Sequence, residues 1–185
     1  MGYIMKIYVD GGCRRNGSSS AIAAAAAVRK ERARGKYRYC QRRLPSYPKA
    51  TNQRAEITAI ILGLEMALGK YEELDSNPRL NVTIHSDSKY AVNCMNDWIY
   101  KWTQNGWTNS RGEPVANRDL IQQASNLDDR LRELGTVKFV WIPRSENEEA
   151  DKHCNEELDK MEKDNRVQVL YWPRTYVEDS DSSDW

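Results

Sequence analysis

The chain has 185 residues, with 28 lysines and arginines against 27 aspartates and glutamates, enough for one domain with a real core but not for a strongly basic nucleic-acid binder. From Asp164 onward five acids face two arginines, so that end carries −3 and the rest +4, and a mildly basic body permits a phosphate partner without requiring one. Cys13, Cys40, Cys94 and Cys154 form no C-x-x-C pair, which disfavours a zinc ribbon, a redox dithiol or a disulfide framework, and the longest apolar run, 21–28, is too short to cross a bilayer.

Residues 3–9 are apolar and β-prone, and Gly11-Gly12 predicts the end of that strand. Residues 21–29 and 36–43 flank a basic, glycine-containing connector and read as a hairpin, although the alanine run taken alone favours a helix. After a loop marked by Pro45 and Pro48, Thr51 caps a helix whose apolar positions are Ile57, Ile60, Ile61, Leu64 and Leu68. Residues 80–85 alternate Leu80, Val82 and Ile84 with Asn81, Thr83 and His85, a strand signature. One or two short helices follow over 88–102, then turns at Asn105-Gly106 and Arg111-Gly112, then a helix over about 117–134 stopped by Gly135. Residues 137–142 make another strand. Pro143 breaks it, and Ser145 with Glu148 predicts a capping box for a last long helix. The order β-β-β-α-β-α-α-β-α implies an α/β fold, with a mixed five-stranded sheet and helices on both faces. Residues 1–163 are expected to be the body and 164–185 an acidic, partly disordered tail.

Four acids occupy four separated segments: Asp10 and Asp87 after apolar strands, Glu56 one turn after Asn52 on a helix, and Asp151 near a helix start. Each alone has an ordinary explanation as a turn, cap or surface residue. Gathered together, they would raise one another's pKa values unless cations neutralised them, and hard divalent ions suit that task.

The segments DGGCRRNG, TNQRAEITAI, HSDSKYAV, WIYKWTQNGWTNSRGEPVANRDL and NEEAD, in that order, resemble a type 1 ribonuclease H of eukaryotic, fungal-like form. The resemblance spans most of residues 5–160. It implies a ribonuclease H-like fold and endonucleolytic hydrolysis of the RNA strand in RNA–DNA hybrids. It also implies two Mg²⁺ ions, with Mn²⁺ as an alternative, on Asp10, Glu56, Asp87 and Asp151. By the same resemblance Asn16, Asn52 and Gln53 meet the RNA strand. Lys49, Thr51, Tyr90, Trp98, Trp102, Ser110 and Asn117 meet the DNA strand, with Lys101 and Arg111 as further phosphate contacts. Trp107 is assigned to the core.

Family members carry a longer loop with a histidine before the last acid. Here the segment is Pro143-Arg144-Ser145-Glu146, and neither His85 nor His153 is placed to substitute. Arginine cannot shuttle protons near neutrality, so Arg144 is expected to contact phosphate or product. A monomer in nucleus or cytoplasm, with the mitochondrion also open, completes the expectation. A hybrid-binding protein without turnover and a related resolvase or integrase are the alternatives. The Asn52-Gln53 pair disfavours the latter.

Overall fold

The computed structural model describes residues 2–31 and 35–170. At its centre is a sheet in the order β3-β2-β1-β4-β5, where β1 is Tyr3–Arg14, β2 Ile22–Lys30, β3 Tyr37–Arg43, β4 Leu80–Ser86 and β5 Gly135–Trp141. The first three strands pair antiparallel; β4 then joins β1 and β5 joins β4 in parallel. The helices are α1 (Asn52–Glu72), α2 (Lys89–Asn93), α3 (Ile99–Gln104), α4 (Arg118–Leu134) and α5 (Glu148–Leu170). A π-type turn over Cys94–Trp98 joins α2 to α3 into one irregular helical stretch. The mixed sheet and its helical faces match the expectation. Among the described residues no helix is long and apolar enough to cross a membrane.

Alternation sets the two faces. Met5, Ile7 and Val9 of β1 and Val82 and Ile84 of β4 point into the main core with Ile57, Ile60, Ile61 and Leu64 of α1. Helix α1 is buried at every position from Arg54 to Leu64, because it lies between the sheet and α4. Thr51 caps it, accepting the Arg54 N–H at 3.2 Å.

The alanine-rich segment is a strand because helices press on both of its faces. Ala23, Ala25 and Ala27 join the main core, while Ala24 and Ala26 meet Cys154 and Leu158 of α5 in a small second cluster. Tertiary packing overrides helix propensity where only a methyl group fits. That second cluster is modest, and ion pairs supplement it. Arg14 bridges Asp159 (2.8 Å) and Glu162 (2.9 Å), Arg15 bridges Glu162 (3.0 Å), and Arg43 bridges Glu157 (2.5 Å) and Asp164 (2.7 Å).

Four boundaries differ from the sequence reading. Gly11-Gly12 does not end β1, which continues to Arg14. A Cβ on Gly11 would stand 2.2 Å from the Ala55 carbonyl carbon, so the glycine admits α1 against the strand and does not form a turn. Gly135 opens β5 as well as closing α4, and a Cβ there would stand 2.0 Å from the Leu80 carbonyl oxygen. The Ser145–Glu148 capping box is not formed. Ser145 lies in a 3-10 turn (Arg144–Glu146), and Asn147 directly precedes α5 and accepts the Asp151 N–H at 3.0 Å through its backbone carbonyl. Finally, α5 runs through position 163 to Leu170, so the expected boundary falls inside a helix; residues 171–185 of the tail lie outside the described residues.

Candidate active site

Parallel pairing of β1 with β4 ends at Val9 and Ser86. Asp10 and Asp87 are the next residues on each strand, so the point where the ladder opens presents two carboxylates side by side. Asp10 is therefore at the end of the parallel ladder, though not at the end of its strand. Close approach of α1 at Gly11 brings Glu56 alongside, and Glu56 accepts the Gly11 N–H. One ligand oxygen from each of Asp10, Glu56 and Asp87 lies within 4.8 Å of the others.

The turn carrying Asp87 is held from several sides. Asn147 donates to the Asp87 carboxylate at 3.2 Å and to the Val9 carbonyl at 2.9 Å. The Trp141 indole N–H donates to the Asp87 carbonyl at 3.0 Å, and the Ser88 N–H donates to the Ser86 hydroxyl at 3.1 Å. Sequence reasoning overlooked Asn147 and Trp141. Asn147 had a readable signal, since an asparagine before an acidic helix start is a capping candidate; its side chain instead ties two strands together.

Asp10 and Glu56 are both buried. Burial, then Asp87 and Asp151, push the Asp10 carboxyl up to about 7, against a smaller downward pull from Arg144. Burial, then Asp10 and Asp87, push Glu56 up to about 9. Glu56 Oε2 is buried with no hydrogen-bond partner. An orphaned carboxylate oxygen among other carboxylates is a poor arrangement alone and a good one around a hard cation, so these residues fit a divalent ion.

The linkage has a definite sign. Both pKa values exceed those of the unfolded chain, so the native state holds extra protons and metal-free stability falls as pH rises through these values. A divalent ion bound among these carboxylates would replace those protons. The Mg²⁺-induced rise in melting temperature is therefore expected to be small near pH ~5 and large by pH ~8, as the carboxyls ionise in the absence of the ion. Thermal scans with Mg²⁺ or EDTA across that range check this; a pH-independent increment would remove these acids from the ion site.

Asp151 stands apart from the trio. Its carboxylate takes the Arg144 guanidinium at 2.5 Å. Neither histidine enters the site: His85 stacks on Tyr8, and His153 stacks on Tyr39 and contacts Glu156.

Around the acids, the Asn16 carboxamide oxygen accepts the Asn52 N–H at 3.3 Å, and Gln53 is exposed beside them. Lys49 turns toward this group and donates to the Gly17 carbonyl. Thr51 and Asn117 each contact Arg54, a buried cation that the sequence reading did not single out, Thr51 at its backbone N–H and Asn117 at its guanidinium. Arg54 forks onto Asp119 at 2.9 and 2.7 Å and reaches Asn117 at 3.5 Å, and Asn117 donates to the Tyr90 hydroxyl at 3.1 Å. From Tyr90 an aromatic row runs through Trp98, Trp102 and Trp107, with ring centroids 5.9, 5.7 and 6.3 Å apart. Trp107 is buried, as expected, under Arg118; Trp98 and Trp102 are half-buried. Ser110 and Arg111 are exposed in a turn, and Lys101 pairs with Asp97 at 3.0 Å.

A protein-family model described as RNase H matches residues 3–164. "Ribonuclease H" of Thiobacillus denitrificans is 31% identical over 160 residues, covering 83% of this chain and 92% of that protein. "Ribonuclease H" of Schizosaccharomyces pombe is 36% identical over 137 residues, covering 71% of this chain but only 45% of its own length. The fold resembles that of LC11-RNase H1, solved in complex with an RNA/DNA hybrid, with a TM-score of 0.58 at 24% identity over 85% of this chain and 98% of that one.

Proposed function

The chain belongs to the RNase H family, and on that footing we propose that it hydrolyses the RNA strand of RNA–DNA hybrids as an endonuclease, leaving 5′-phosphate and 3′-hydroxyl ends. Two Mg²⁺ ions, or Mn²⁺ in their place, are held by Asp10, Glu56, Asp87 and Asp151. The observation that carries this reading is the set of three converging carboxylates, one with an unpartnered buried oxygen. When bound, such ions supply the charge that generates a nucleophile from water and stabilises the departing 3′ oxygen.

The rest of the work falls to the chain's own groups. Asn16, Asn52 and Gln53 offer amides that both donate and accept, which suits ribose 2′-hydroxyls that do the same. Thr51 and Asn117, with Lys49 and Ser110, serve phosphates of the DNA strand, where Arg54 fixes Asn117. Tyr90, Trp98 and Trp102 form an apolar wall for deoxyribose, which a 2′-hydroxyl would crowd. Arg144 contacts phosphate or product. We carry a fungal-like form within the type 1 group, a monomeric state and a nuclear or cytoplasmic setting as parts of the same reading.

Cleavage of matched RNA–DNA, RNA–RNA and DNA–DNA duplexes, with Mg²⁺ or EDTA, tests it: only the hybrid should be cut, and only with the ion. Trp102→Ala is expected to weaken hybrid binding by about 1–3 kcal/mol, the size of a lost stacking contact, with the fold intact by circular dichroism. Unfolding would instead make Trp102 a core residue. A hybrid-binding protein without turnover is the second reading, favoured by the ion pair that occupies Asp151. Binding of the hybrid without Mg²⁺-dependent cleavage would select it.

A further inference from the structure

Asp151 stands outside the trio of close carboxylates, and its partner is a fixed positive charge. Arg144, at the start of the 3-10 turn that leads into α5, reaches seven residues forward to put Nη2 2.5 Å from Asp151 Oδ1. Arg144 is 75% exposed and Asp151 29%. The guanidinium's field extends further, since it draws down the carboxyls of both Asp10 and Glu56. A lysine or histidine in that place could lose its proton to make room for an incoming cation. An arginine cannot, so it leaves Asp151 only by moving. Movement is open to it, because an exposed ion pair is weak and the side chain projects from a turn into solvent.

We propose that Arg144 is a tethered counter-cation that competes with the second divalent ion for Asp151, so the resting chain takes one ion at the Asp10–Glu56–Asp87 trio and admits the second only at higher ion concentration. The inference rests on the metal-dependent reading above and adds an order of filling to it. The trio has no such occupant. Only protons, and one neutral amide contact from Asn147 to Asp87, compete with an ion there, while at Asp151 an ion meets a positive charge already seated on one carboxylate oxygen.

The test is calorimetric titration of Mn²⁺ into the full chain without nucleic acid, for the wild type, Arg144→Ala and Arg144→Gln. The wild type should bind one ion well and a second weakly. Both variants should bind the second about two- to fivefold more tightly, the scale of one exposed ion pair, with the first little changed. Adding Asp151→Asn to Arg144→Ala should remove the second event alone. Two equal sites in the wild type, or a second site unmoved in both variants, overturns the proposal. Hybrid cleavage by the wild type is scored separately. Ordered ion binding without cleavage would leave the role of Arg144 standing and remove the nuclease reading; cleavage with unordered binding would do the reverse.

Discussion

Asp10→Asn is expected to abolish Mg²⁺-dependent cleavage of the hybrid, by about 10³-fold or more, because it removes a charge at the centre of the carboxylate trio. Hybrid affinity should change little, since the residues assigned to either strand lie outside that trio. The same change should make the metal-free protein more stable. Burial first, and then Asp87 and Asp151, push the Asp10 carboxyl up to about 7, so a neutral isostere removes a desolvation and repulsion penalty that grows with pH. An increase on the order of 1 kcal/mol or more in metal-free stability near pH ~8 should therefore accompany the loss of activity. Parallel measurements of turnover, hybrid binding and chemical denaturation with EDTA check all three. Unchanged turnover would take Asp10 out of the site, and a destabilised variant would refute the electrostatic account.

Gly11→Ala is expected to be the most disruptive single methyl group near the site. The added Cβ would stand 2.2 Å from the Ala55 carbonyl carbon and 2.4 Å from the Glu56 nitrogen. Both are backbone atoms in the first turns of α1, so no side chain can turn aside, and strand and helix must separate. Overpacking of this kind costs about 1–3 kcal/mol and sometimes more. Separation would also carry Glu56 away from Asp10 and Asp87. A lower denaturation midpoint with weaker Mn²⁺ binding is the expected pair of results. Gly12→Ala is the control: its Cβ would meet only side-chain atoms, Leu158 Cδ1 at 3.2 Å and Cys154 Sγ at 3.4 Å. Equal effects at the two positions would mean that the fit between β1 and α1 is looser than it looks.

Much of this architecture was legible because periodicity and caps are local. Thr51 and the apolar spacing after it placed α1, and alternation in residues 80–85 placed β4. The errors arose where the deciding contact is distant in sequence. Gly11 looks like a turn residue until α1 is laid across it, and Gly135, which does stop α4, gives no local sign that it opens β5 as well, where it lies against Leu80. Residues 21–29 read rightly as a hairpin strand against the helix propensity of their alanines, although nothing local announces α5 on one face and α1 on the other. In the site, the motifs located each acid, but spacing could not show that three converge while Arg144 holds the fourth. Nor could it show that the Asn147 side chain would join β1 to Asp87 while its backbone opens α5, or that a buried Arg54 would brace Asn117.

The two kinds of attachment beneath the acids respond differently to the medium. Asp10, Glu56 and Asp87 ride on elements rooted in the main apolar core, which electrolytes barely touch. Asp151 rides on α5, fastened by a small patch and by arginine contacts at Asp159, Glu162, Glu157 and Asp164. Dissolved salt weakens such exposed contacts as the screening length shortens, from about 10 Å at 0.1 M to about 3 Å at 1 M. The pliant direction of the candidate site is therefore that of α5, and ionic strength is expected to act on Asp151 before it acts on Asp10, Glu56 and Asp87.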